Sequence, residues 1–141
     1  MSVSKILDFL NGKKIVIVGF GREGVSSYKF LRKHFPQMPL VVADKSPEIN
    51  TDGLARDALL TVIAGEEYDQ HLNDFDLIFK SPGVNLNTIN YFIPREKFTS
   101  QAELFLMAFG RQIIGVTGTK GKSTTASLIY HILSNTLGNT I

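Results

Sequence analysis

The sequence predicts an α/β fold: a Rossmann-like parallel sheet, followed by the opening strand, phosphate loop and helix of a second nucleotide-binding unit. Three observations carry this expectation. Short β-branched runs alternate with helix-compatible segments, the chain order of right-handed crossovers in a parallel sheet. A Gly19-x-Gly21-x-x-Gly24 turn follows the first such run. A second glycine-rich turn, ending Gly121-Lys122-Ser123-Thr124, follows the last.

The elements are taken in chain order. Residues 4–10 read as a short helix stopped by Asn11-Gly12. Residues 14–18 are a β-branched run, the pattern of a strand buried on both faces. Residues 25–34 carry Val25, Tyr28 and Leu31 at helical offsets, and Pro36 and Pro39 close that helix. Residues 40–43 are a second strand ending at Asp44, residues 59–64 a third stopped by Gly65, and residues 76–79 a fourth stopped by Ser81-Pro82-Gly83. Residues 85–98 are mixed and poorly periodic. Residues 101–109 form a helix ended by Gly110, residues 111–116 restart a strand, and residues 121–135 form the helix after the second loop. Two domains are expected, residues 1–98 and residues 99–141, with the boundary inside 95–110. The strand at 111–116 has no sequence neighbour to pair with, so strain or fraying is expected there.

Composition excludes several classes. A chain of 141 residues is long enough to bury a core, and 43% hydrophobic with 20% charged residues fits a globular protein. A net charge of +2, with basic residues scattered as Lys13-Lys14, Arg32-Lys33 and Lys120/Lys122, leaves no footprint for nucleic acid. No apolar run approaches the roughly 18 residues of a membrane span, and residues 1–10 lack a signal-peptide core. With no cysteine there is no disulfide framework or thiolate metal site, which is compatible with the cytoplasm.

The first glycine turn has a stated chemistry. Gly19 permits the tight turn, Gly21 lets backbone approach a ligand, and Gly24 allows close helix–strand contact. Asp44, about twenty residues on, ends the second strand, where Rossmann domains hold a ribose hydroxyl; the plainer alternative is that the glycines only make a sharp strand-to-helix turn and Asp44 caps a loop. Only four strands can be counted, so this half suits one nucleoside diphosphate better than a dinucleotide. Glu23 discourages crowding by phosphate unless Arg22 balances it, which favours a diphosphate held partly elsewhere. Ser81-Pro82-Gly83 lies at the same carboxyl edge, either as a ligand loop or as a plain turn.

The second turn spaces its glycines as Gly115-x-x-Gly118-x-x-Gly121-Lys-Ser, a variant of the strict phosphate loop, which would need glycine where Val116 stands. Gly118, Thr119, Lys120, Gly121, Lys122, Ser123 and Thr124 would hold ATP. Backbone N–H groups would cradle the phosphates, Lys122 would neutralise charge on the outer ones, and the Ser123 hydroxyl would coordinate Mg²⁺. His34, His71 and His131 stand far apart and read as surface or packing residues. Glu66-Glu67 and Asp69 read as a solvated helix cap. Phe98, Phe105 and Phe109 read as packing residues of a helix between the domains.

Four segments together resemble the Mur ligase family: residues 19–24, Ser81-Pro82-Gly83-Val84, Ser100-Gln101-Ala102-Glu103-Leu104-Phe105, and residues 115–124. The Ser-Pro-Gly and Glu-Leu-Phe pieces favour its D-glutamate-adding branch. That resemblance implies an ATP- and Mg²⁺-dependent ligase of peptidoglycan biosynthesis. In it, ATP phosphorylates the carboxylate of UDP-N-acetylmuramoyl-L-alanine and the D-glutamate amine attacks the acyl phosphate. It implies that Gly21, Arg22, Glu23, Asp44, Lys45, Ser81 and Gly83 hold the uridine diphosphate end, and that Lys122 is catalytic with Ser123 on the metal. Family members have three domains and several hundred residues, so the chain is expected to be a fragment without ligase activity by itself. Three rivals stay open: an L-alanine-adding relative, a folylpolyglutamate synthase, and a Rossmann dinucleotide-binding oxidoreductase or sensor, which leaves the lysine loop unexplained.

Overall fold

A computed structural model describes residues 3–49, 54, 56–89 and 91–137. Its backbone divides after Gly110 into two compact units.

The first unit is built on five parallel strands: β1 (Ile15–Val18), β2 (Leu40–Asp44), β3 (Leu60–Ala64), β4 (Leu77–Lys80) and β5 (Phe98–Thr99), in the order β3-β2-β1-β4-β5. β1 is central and wholly buried, as its unbroken Ile-Val-Ile-Val run requires. The two-residue side-chain period then divides the core. Ile15, Ile17, Leu40, Val42, Leu77 and Phe79 face one layer, and Val16, Val18, Ala43 and Ile78 face the other. β3 is half exposed at its edge.

Three helices cover the first face: α1 (Ser4–Leu10), α2 (Arg22–His34) and α3 (Gln101–Phe109). Each presents a stripe at helical spacing: Ile6 and Leu10; Gly24, Ser27, Tyr28 and Leu31; Leu104 and Ala108. α2 is fastened at its C-terminal end. Asp57 accepts hydrogen bonds from Tyr28 Oη (2.5 Å) and Arg32 Nε (2.8 Å), while Arg32 also donates to the Pro36 and Met38 carbonyls. Burial opposes ionisation of Asp57, but the bonds from Tyr28, the Leu59 N–H and Arg32 outweigh it and hold the carboxyl below its usual range. Among the described residues no α-helix covers the second face. Tyr68, Leu72 and Phe75 pack there from the β3–β4 connection, Val84, Ile89 and Ile93 from the β4–β5 connection, and Phe98 from β5 itself.

Several expectations change. β5 is a fifth strand where the sequence shows four, and Phe98 belongs to it. The first compact unit runs to Gly110, past the expected division after residue 98, because Leu104 and Ala108 are buried in its core. On that helix Phe109 packs partly against the core, whereas Phe105 is exposed and meets the Phe109 ring at 5.0 Å. Residues 66–69 do not open an α-helix, and Asp69 is 1% exposed, so the solvated-cap reading fails there.

The second unit holds the lysine loop and α4 (Lys122–Leu137). The strand expected at 111–116 is absent: a 3-10 turn (Gly110–Gln112) leads into irregular backbone. A parallel strand exists only as part of a ladder, and none of the described strands pairs with this run. Residues 138–141, at the end of the second expected domain, lie outside the described residues.

Candidate functional site

A cleft of about 550 Å³ opens outside the carboxyl ends of β1, β2 and β4. The strand order reverses between β1 and β4, and crossovers leaving neighbouring strands in opposite directions keep a crevice open at such a point. Its size suits a small organic ligand, for which clefts of roughly 300–1,000 Å³ are usual.

The β1–α2 turn forms the floor. Gly19 sits at φ +84°, and a Cβ there would come within 2.6 Å of Val84 Cγ2, so both backbone and space demand glycine. A Cβ on Gly24 would collide with the Gly19 carbonyl oxygen, so the first turn of α2 lies directly against the loop. α2 begins at Arg22, earlier than the expected residue 25, with Gly21 as its N-cap. Arg22 and Glu23 therefore belong to a helix N-terminus facing the cleft, where free backbone N–H groups favour an anion.

The neighbouring strands hold this turn in place. Gly19 N–H donates to the Ala43 carbonyl (2.9 Å), and the Ser81 hydroxyl donates to the Gly19 carbonyl (2.7 Å). Asp44 Oδ2 accepts the Phe20 N–H (2.6 Å) and Oδ1 accepts the Ser46 N–H (2.8 Å). One lone-pair position on each carboxylate oxygen is left for a hydroxyl. Asp44 and Ser81 thus shape the cleft as well as line it. At the rim, Lys45 lies 3.9 Å from Glu66 with both side chains largely exposed, an ion pair too weak to withhold the lysine from a ligand.

Gly21, Arg22, Glu23, Asp44, Lys45, Ser81 and Gly83 all line this one cleft. Three polar residues there escape the sequence reading: Tyr68, Asn85 and Thr88. Tyr68 comes from the turn after β3 and is 5% exposed. Burial pushes its phenol up, with Asp69, Asp44 and Glu66 adding to the rise and a hydrogen bond with Thr88 opposing it. Thr88 Oγ1 in turn donates to the Asn85 carbonyl (2.7 Å). Their one mark in the sequence is that they follow Gly65 and Ser81-Pro82-Gly83 in the segments leaving β3 and β4, which does not single them out.

The lysine loop is organised locally. Gly118 and Gly121 have φ +145° and +78°. The Thr125 N–H donates to the Gly121 carbonyl (2.9 Å), and Lys122 Nζ donates to the Gly118 carbonyl (2.5 Å), folding the ammonium back across the loop. Thr119, Lys120, Ser123 and Thr124 are exposed at the start of α4. A loop with two left-handed glycines, a helix N-terminus and a returning lysine fits a polyphosphate. For a metal, the donors comprise the Ser123 hydroxyl, and no group of three His, Cys, Asp or Glu is assembled among the described residues. That donor set fits a cation arriving on phosphate oxygens, as Mg²⁺ does. The histidines are surface or packing residues: His34 stacks on Phe30, His71 lies 3.4 Å from Asp74, and His131 lies 3.1 Å from Asn135.

Comparison with known proteins agrees with the geometry. Residues 13–93 match the model for the N-terminal domain of MurD-like Mur ligases. The UDP-N-acetylmuramoylalanine–D-glutamate ligase of Clostridium kluyveri is 34% identical over 131 residues, covering 89% of this chain and 28% of that protein. The enzyme of the same name from Clostridium botulinum is 28% identical over 134 residues, 92% of this chain and 29% of that protein. The chain thus spans less than a third of the length of these relatives.

Proposed function

Because the chain belongs to the Mur ligase family through its MurD-like N-terminal domain, we propose that it is the nucleotide-substrate-binding portion of a UDP-N-acetylmuramoylalanine–D-glutamate ligase. The observation that carries this is the cleft at the β1–β4 switch, where a glycine turn, a helix N-terminus and the Asp44 and Ser81 side chains converge. The uridine diphosphate end of UDP-N-acetylmuramoyl-L-alanine would lie there, with D-glutamate and ATP as the other substrates of the whole enzyme. Its diphosphate would meet the N–H groups of Gly21, Arg22 and Glu23, with the Arg22 and Lys45 cations offsetting Glu23. A ribose hydroxyl would donate to the open lone pairs of Asp44.

Gly118 to Thr124 would hold ATP, the backbone binding its phosphates. Lys122 would leave the Gly118 carbonyl for the outer phosphates, and Ser123 would supply one oxygen to Mg²⁺. ATP, when bound, supplies the phosphoryl group that activates the substrate carboxylate. No helix among the described residues is long and apolar enough to cross a membrane. A nucleotide-dependent ligase of cell-wall synthesis, supporting division and cell shape, would work in the cytoplasm, with which the lack of cysteine is compatible. The chain alone, spanning so little of its relatives' length, is not expected to turn over D-glutamate.

Calorimetric titration of the chain with UDP, UDP-N-acetylmuramoyl-L-alanine, NAD and ATP tests the assignment. UDP and the UDP-sugar should bind where NAD does not, and preference for NAD would overturn the reading. Lys122→Met should lower ATP affinity about tenfold, the loss of one charge-assisted contact, while leaving UDP binding unchanged.

A further inference from the structure

The start of α3 touches α2 through one side chain with unusual reach. Ser100 caps α3 by accepting the Glu103 N–H at 3.2 Å, a Ser-x-x-Glu start that fixes Gln101 as the first helical residue. From there Gln101 Nε2 donates twice, to the Glu23 carbonyl (3.0 Å) and to Ser27 Oγ (2.9 Å). Glu23 and Ser27 are one turn apart on α2. Ser27 is 5% exposed, so its hydroxyl is a buried polar group that needs such a partner. Both amide protons are thereby committed to the first two turns of α2.

These contacts complete a wedge. On one side the first turn of α2 lies against the Gly19 carbonyl, at the position where Gly24 admits no Cβ. On the other stands Gln101. The turn so gripped carries Gly21, Arg22 and Glu23 into the cleft, whereas Gln101 is not among the residues lining it. The far end of α2 has its own fastening in Asp57 and Arg32. The two ends are therefore held by separate devices, and only one of them borders the cleft.

We infer that Gln101 is a positioning residue for the nucleotide cleft: from outside it, the side chain sets the height and angle at which the α2 N-terminus meets a bound diphosphate. This deepens the proposed function and rests on it. The chemistry is specific to an amide. A carboxylate at residue 101 has no donors and would set an oxygen against the Glu23 carbonyl, and a methionine would fill the same space with neither bond.

The test titrates UDP into the chain and into Gln101→Met, Gln101→Glu and Ser27→Ala, well below each protein's unfolding temperature. Amide exchange at Val25 is followed without ligand, since its bond to the Gly21 carbonyl (3.0 Å) closes the first turn of α2. Gln101→Met should weaken UDP binding about fivefold to tenfold, the loss expected for two neutral hydrogen bonds. Gln101→Glu should weaken it at least as much, and Ser27→Ala less. Val25 exchange should accelerate in the same order. A Gln101→Met chain that melts lower but binds UDP as the parent does would mark a merely structural contact and overturn the inference, leaving the nucleotide reading intact. A parent chain that binds no UDP overturns the nucleotide reading and the inference with it.

Discussion

The two glycine-rich turns look alike in sequence and are built on opposite principles. The turn at residues 19–24 is short of space at two of its glycines: Gly19, which also takes φ +84°, and Gly24 sit where a Cβ would strike Val84 or the Gly19 carbonyl, while Gly21 has room. Its hydrogen bonds come from elsewhere in the sheet, through Ala43, Asp44 and Ser81. The turn at residues 115–121 has room around Gly115 and Gly121, where a Cβ would meet nothing within 4 Å, and Gly118 and Gly121 serve backbone angles instead. Its bonds are its own, from Lys122 and Thr125. Tertiary packing constrains the first turn beyond its backbone angles, whereas local conformation alone sets the second. The same residue type therefore fails differently in each.

Substitutions can break or sharpen that contrast. The largest effect belongs to Gly24→Ala, which forces α2 off the β1 loop and should lower stability by about 3 kcal/mol, as overpacking of a closed contact does. Urea unfolding followed at the sheet is the measurement, and parent-like stability would show that the wedge is absent. Next is Asp57→Asn, which weakens the clamp at the other end of α2 and should cost about 2 kcal/mol in the same assay. Asp57 also has a pH signature. Its folded pKa is lowered, so its stabilisation is present above the unfolded value of about 3.9 and is lost as pH falls through the folded one. The variant should lack that acid-side slope. The smallest effect falls in the second turn. Gly121→Ala should strain the loop by about 1 kcal/mol, weakening ATP binding about fivefold without moving the urea midpoint of the sheet. Gly115→Ala, in open space, should change neither.

Much of the sheet was legible because its strands are short apolar runs with clear stops. Ile15–Val18 has no polar interruption, and Gly65 and Ser81-Pro82-Gly83 end the strands before them. β5 was not legible, since two residues carry no period. The run at 111–116 misled for a related reason: a strand is a pairing, and β-branched composition says nothing about whether a partner stands beside it. In the cleft, residues adjoining strand ends could be named from the sequence. Tyr68, Asn85 and Thr88 could not, because irregular segments deliver them and their approach to the cleft depends on how those segments fold over the second face. Asp69 was misjudged likewise, as an acidic residue in a polar stretch carries no mark of burial.

The Ser81–Gly19 hydrogen bond joins residues 62 apart in sequence. It bears on the order in which the molecule is made. Contacts of such span form late, after the loop between them has been closed against its entropy. On the ribosome, residues 19–24 emerge before β4 but cannot take their final shape until that strand has been synthesised and docked beside β1. The cleft is thus expected to take its final shape only after β4 has docked, and a nascent chain released before residue 81 would present the glycine turn without the hydroxyl that seats it.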